Sequence, residues 1–171
     1  MKRVALISDN HSYDGKDILT YISEVDEVWH AGDMGNIESV EHIMDLKVFR
    51  GVYGNIDDHE VRSVFPLNQF FECEGVKVFM THIGGNPGRY YRRVREILSN
   101  HKPDLYICGH SHICKVMYDK KYKVLHMNPG AYGFKGWHKV RTMIRFTCDS
   151  GTIKDAEVIE LGHRGIVYEE E

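Results

Sequence analysis

Short apolar runs in this chain end repeatedly in side chains of the kind that bind metals. Val4 to Ile7 stops at Ser8-Asp9-Asn10-His11, Val28-Trp29 leads into Ala31-Gly32-Asp33, and Val48 to Tyr53 ends at Gly54-Asn55. Brief apolar runs closed by turn formers read as strands buried on both faces. Between them Ile18, Leu19, Ile22 and Val25 predict a helix over 15–24, and Ile37, Val40, Ile43 and Met44 predict a second. Strands and helices alternating in this way imply a parallel βαβαβ unit with right-handed crossovers.

The second half reads differently. Gln69 to Glu74 and Val76 to Thr81 form an expected antiparallel hairpin turning at Glu74-Gly75. A breaker-rich loop, Gly84 to Gly88, precedes a helical pattern from Arg89 to Asn100. Leu105 to Cys108 reads as a buried strand that stops at Gly109-His110. Further strands follow over 115–118, 122–127, 141–148 and 152–161. The predicted fold is α/β, an αββα sandwich of two mixed β-sheets flanked by helices.

At 171 residues and 42% hydrophobic content, one domain over 1–171 can bury a core without disulfide or metal staples. The 22 Lys and Arg nearly balance 25 Asp and Glu, for a net charge of -3. That excludes the basic footprint of a duplex-DNA or anionic-membrane binder. The four cysteines form no C-x-x-C pair and read as small buried hydrophobes in a reducing compartment. The N-terminal apolar run is too short for a signal peptide, and no run approaches the roughly 20 residues of a membrane span. The expected location is the cytoplasm.

Asp9 and His11 follow the first strand, Asp33 the second and Asn55 the third; His82 follows the hairpin, and His110 and His112 the next strand. In open α/β sheets, ligands bind just past the C-terminal ends of strands. Singly, each motif reads more simply: Asp9-Asn10-His11 as a helix cap, Gly32-Asp33 as a turn, Gly54-Asn55 as a tight loop, His82 as a strand-end histidine. Two His at i, i+2 share a site only on a tight loop, which Gly109 would permit. Seven such donors exceed the four ligands of one tetrahedral zinc site and suit a pair of ions roughly 3.5–4 Å apart.

The ordered set Asp9-x-His11, Gly32-Asp33, Gly54-Asn55-x-Asp57, Thr81-His82 and Gly109-His110-Ser111-His112 resembles the calcineurin-like metallophosphoesterase family. The compact length and Asn128-Pro129-Gly130 are similar to its small prokaryotic phosphodiesterase branch. The resemblance implies that Asp9, His11 and His112 hold one metal, that Asn55, His82 and His110 hold the other, and that Asp33 bridges both. Carboxylate, imidazole and amide ligands without thiolate suit borderline divalent ions, manganese first, with iron, nickel or zinc as alternatives. The expected activity is hydrolysis of phosphodiester or aryl phosphate bonds through a metal-bound hydroxide, with Asn55 also hydrogen-bonding the phosphate.

The match has gaps. Many relatives carry a His where Ile56 stands, one thought to protonate the leaving group, so esters with poorly departing alkoxides should react weakly. Aryl phosphates or some phosphodiesters, whose leaving groups need less protonation, should be better substrates. His59 reads as an exposed loop residue. Ile83 follows His82 in place of a familiar Gly, and Ala131 stands where Ser often follows Asn-Pro-Gly. Arg89, Arg92, Arg93 and Arg95, with Tyr90 and Tyr91, read as a solvated helix face rather than a substrate clamp. The loop from Tyr132 to His138 either lines the pocket or packs on a neighbouring subunit, and Glu169 to Glu171 read as a solvated tail. The expected partner is a small phosphoester, a nucleotide among the candidates; the oligomeric state, a dimer included, stays open. The alternative is a non-catalytic protein-binding scaffold, similar to a eukaryotic retromer subunit on this fold.

Overall fold

A computed structural model describes residues 1–165, and the acidic tail at 169–171 lies outside them. The first sheet runs β10 (Thr152–His163), β9 (Val140–Asp149), β1 (Lys2–Ile7), β2 (Glu27–His30), β3 (Val48–Gly51). The second runs β4 (Asn68–Cys73), β5 (Val76–Thr81), β6 (Leu105–Ile107), β8 (Val124–Pro129), β7 (Cys114–Asp119). β1, β2 and β3 are parallel, as are β5, β6 and β8, while β9, β10, β4 and β7 pair antiparallel at the flanks. The result is the two-sheet mixed α/β sandwich expected from the sequence.

Strand alternation builds three layers. Val4 and Leu6 of β1 and Trp29 of β2 meet Val76, Val78 and Met80 of β5, with Leu105 and Ile107 of β6, between the sheets. Ala5, Ile7 and Val28 point the other way, onto Ile18, Ile22 and Ile43. Burial on both faces is why these strands read as unbroken apolar runs. On the far side Phe79 and Tyr106 pack under Val94 and Leu98 of α4 (Arg92–His101).

The helices differ from expectation in detail. The segment predicted over 15–24 is a single 3-10 turn, Lys16–Ile18, running into α1 (Leu19–Ser23). α2 (Glu38–Leu46) buries Val40 and Ile43, as its spacing requires. A short helix between them and β4, α3 (His59–Val64), was not legible from periodicity because it buries only Val61. It is fixed by its cap, where Asp58 accepts a hydrogen bond from the Val61 amide at 3.1 Å. The β4–β5 turn falls at Glu74-Gly75, both with left-handed φ (49° and 81°), as a two-residue hairpin requires. All four cysteines are free thiols, and no described helix is long and apolar enough to cross a membrane.

Candidate metal centre

Parallel strands discharge their C-terminal loops at one edge. Those loops are laced together through the backbone: the amides of Asp9, His11 and Ser12 donate to the carbonyls of Gly32, Asp33 and Met34 at 3.0, 3.1 and 2.8 Å, and the Gly109 amide donates to the His82 carbonyl at 3.0 Å. Two clusters result, Asp9 with His11 and His112, and Asp33 with His82 and His110. Within them the His11 and His112 rings, and the His82 and His110 rings, meet edge to face at 5.2 and 5.3 Å between centroids.

The donor atoms point inward. Asp9 Oδ1 lies 3.1 Å from His112 Nε2, 3.8 Å from His82 Nε2 and 3.9 Å from His11 Nε2. Asp33 Oδ2 lies 3.0 Å from His82 Nε2 and 3.6 Å from His11 Nε2, so this one oxygen faces a histidine of each cluster. Donors bonded to one ion at about 2.0–2.2 Å sit no more than about 4.4 Å apart, and every one of these separations meets that limit.

Whether the residues fit metal can be judged on their unmet valences. Asp9 Oδ1, His11 Nε2 and His82 Nε2 are buried with no hydrogen-bond partner, an arrangement that costs about 1–3 kcal/mol per group in a site without ions. The other oxygen of each carboxylate is engaged: Asp9 Oδ2 accepts from the Ser8 hydroxyl (2.5 Å) and the His110 amide (3.1 Å), and Asp33 Oδ1 from the Ile56 amide (3.1 Å). Each carboxylate is thus held by one oxygen and presents the other. The donors are hard or borderline with no thiolate among them, which suits first-row divalent ions. The residues fit.

A supporting shell sets the imidazole tautomers. His82 Nδ1 is 2.7 Å from the Ala31 carbonyl, to which only an N–H can donate, so Nε2 carries the lone pair. A longer relay orients His112. His138 Nε2–H donates to the Gly133 carbonyl at 2.9 Å, which leaves His138 Nδ1 as acceptor for the His112 Nδ1–H at 3.1 Å. His112 Nε2 then also carries a lone pair toward Asp9. Buried Asp57 ties two loops together: its Oδ2 accepts from the Asp33 and Gly54 amides at 3.0 and 2.7 Å, its Oδ1 from the Gly35 amide at 2.8 Å. Asn128 Nδ2 donates to the Gly109 carbonyl and the Ser111 hydroxyl at 3.0 and 3.1 Å, fastening the His110–His112 loop.

Electrostatics follow the same grouping. Burial alone would raise the Asp9 carboxyl, but the imidazoles of His11, His112 and His82 that face it hold it well below the ordinary carboxylate range. Burial pulls His82 down, and Asp33 and Asp9 more than offset it, so its pKa is raised. Burial lowers His138, consistent with a neutral ring in the relay. Backbone strain concentrates here too. Of eleven described non-glycine residues with left-handed φ, Asp9, His11, Ser12, Asp33, His110 and His112 are six, a clustering characteristic of functional sites.

Glycine matters for room rather than for φ at the paired histidines. His110 and His112 themselves take the left-handed turns (φ 72° and 60°), and Gly109 is needed because a Cβ there would meet Ser8 Oγ at 2.3 Å. At Gly54 a Cβ would stand 2.0 Å from Asp33 Oδ1.

Of the seven expected ligands, six form the two clusters. Asn55 is exposed and lines a cavity beside them together with His82, while its neighbours Gly54 and Ile56 both touch Asp33. His59 is exposed at the start of α3. The arginines divide, and the solvated-face reading is corrected at Arg93. Arg92 is on the surface, paired with Glu96, whereas Arg93 turns inward to Asn68, Thr81 and the Ile83 carbonyl. In the 132–138 loop, Tyr132 is core and His138 backs the centre, while Trp137 is 98% exposed. The roles of His138 and Asp57 are not legible from sequence pattern, although Asp57 stands inside the Gly54-Asn55-x-Asp57 motif.

Known proteins resemble this chain in sequence and in fold. A family model described as the calcineurin-like phosphoesterase superfamily domain matches residues 1–151. A probable metallophosphoesterase of Methanocaldococcus jannaschii is 28% identical over 134 residues, covering 75% of this chain and 67% of that one. Among solved structures, a novel archaeal phosphodiesterase superposes with a TM-score of 0.71 at 20% identity, covering 92% of this chain and 99% of that one. Vps29 of Entamoeba histolytica complexed with zinc superposes at 0.69 and 16% identity, covering 94% and 99%. At these identities the structural likenesses speak for the fold alone.

Proposed function

The chain belongs to the calcineurin-like phosphoesterase superfamily, and from that footing we propose that it is a cytosolic dimetal phosphodiesterase working with manganese. The observation that carries the reading is the meeting of Asp9 Oδ1, His11 Nε2 and His82 Nε2, buried and without partners, around a carboxylate oxygen of Asp33 that faces both clusters. Two divalent ions bound there would lower the pKa of a shared water towards about 7 and bind phosphoryl oxygens of the substrate.

The chain's own residues do the rest by position. Asp33, held through Oδ1 by the Ile56 amide, offers Oδ2 to both clusters. Asn55 is neutral, so its side-chain oxygen would ligate and its amide nitrogen would donate to the phosphate. His110, at the open side of the centre, completes the second cluster. With two carboxylates facing two divalent ions, the site keeps positive charge to receive an anion. Ile56 offers no proton to a departing alkoxide, which favours aryl phosphates and those phosphodiesters whose leaving groups need little protonation. Free cysteines fit a reducing compartment.

The test is hydrolysis of bis(p-nitrophenyl) phosphate and p-nitrophenyl phosphate with added manganese, by the wild-type chain and Asp33→Ala. The diester should be cleaved faster, and the variant should lose at least about a hundredfold. Equal rates in variant and wild type would refute the dimetal reading, and no turnover of either ester would favour the scaffold alternative.

A further inference from the structure

Beside the centre, and opening onto Asn55 and His82, lies a cavity of about 560 Å³, within the range typical of small-ligand sites. Tyr53 and Tyr91 stand in its walls with Leu67 and Ile83. Tyr91 and Leu67 are 55% and 46% exposed. The cavity is also cationic: Arg62 and Arg93 line it, and no acidic side chain does. Neither arginine has a carboxylate within ion-pair distance among the described residues. Arg62 donates only to the carbonyls of Asp57 (2.7 Å) and Asn55 (3.3 Å), and Arg93 only to Asn68, Thr81 and the Ile83 carbonyl. Arg62 in turn lies over the Tyr53 ring at 4.7 Å.

Aromatic walls with two uncompensated guanidinium groups, placed against a phosphate-binding centre, match a ligand that is flat at one end and anionic at the other. We propose that this cavity seats a nucleoside ester group, with the base along Tyr53 and Tyr91 and its phosphate charge shared by Arg62 and Arg93, so that the substrate is a nucleoside-bearing phosphodiester. The inference rests on the phosphoesterase reading above and extends it to a substrate class. Tyr residues are suited to this because every base has a face on which to stack, and arginine because its planar fork matches phosphate.

Isothermal titration of the manganese-loaded protein with adenosine 5′-monophosphate, methyl phosphate and inorganic phosphate tests it. The nucleotide should bind about tenfold tighter than methyl phosphate, the size of one base–aromatic stack. Tyr91→Ala, at an exposed position, and Tyr53→Leu, which keeps the half-buried site filled, should each reduce that preference while leaving methyl phosphate affinity within twofold. A nucleotide that binds no tighter than methyl phosphate, or a preference intact in both variants, would overturn the proposal. Preference without any hydrolysis of p-nitrophenyl diesters counts against the phosphodiesterase reading alone, and hydrolysis without preference against the nucleoside pocket alone.

Discussion

His112 is aligned by His138: the two Nδ1 atoms lie 3.1 Å apart, and the far nitrogen of His138 is committed to the Gly133 carbonyl. This sets which nitrogen of His112 faces Asp9. Replacing His138 by Ala should weaken the ion held by Asp9, His11 and His112 about 10–100-fold, the usual effect of losing such an outer partner, and leave the other ion's affinity unchanged. Stepwise manganese titration by calorimetry separates the two. Equal weakening of both ions, or of neither, would remove His138 from the relay.

Asp57 makes a different kind of contribution, through backbone amides on two loops. Asp57→Asn puts an amide nitrogen where an oxygen now accepts hydrogen bonds, so at least one buried N–H loses its partner. The expected cost is roughly 1–3 kcal/mol of stability, read by urea denaturation, with a fall in diesterase activity because the Asp33 and Asn55 loops lose their common anchor.

At position 56 the expectation concerns the leaving group. Ile56→His should raise the rate on alkyl esters more than on aryl esters, since only the former gain from protonation. An equal change on both would mean that no general acid is missing there.

His126 governs part of the acid stability. Its ring is fully buried beneath Tyr106, with no partner for either nitrogen. Burial, with the nearby Lys115 adding to it, pushes its pKa down from 6.5 to about 4. A group with a depressed histidine pKa binds its proton more tightly in the unfolded chain. Folding stability therefore falls as pH drops from 6.5 to about 4, by roughly 3 kcal/mol at 1.36 kcal/mol per unit. His126→Phe should be flatter across that window by this amount when stability is followed by denaturant titration. Parallel curves for the two proteins would contradict it.

What could be read in the sequence was what short-range pattern dictates. Val4 to Ile7 is apolar throughout because both faces of β1 are covered, so the strand and the loop it feeds were visible together. The donors were legible because each sits at such a strand end. His138 was not, since its partner His112 is 26 residues away and meets it only after the chain has run through β7 and β8. Arg93 looked like its solvated neighbours because helical spacing says where a side chain points, not which loop carbonyl waits for it. α3 was invisible for want of an apolar stripe, being set by one cap.

The measurement closest to the central claim is anomalous diffraction at the manganese edge from crystals grown with that ion. Two peaks are expected, one among Asp9, His11 and His112 and one among Asp33, His82 and His110, with Asp33 touching both and Asn55 joining the second. A single peak, or two that do not share Asp33, would contradict the account.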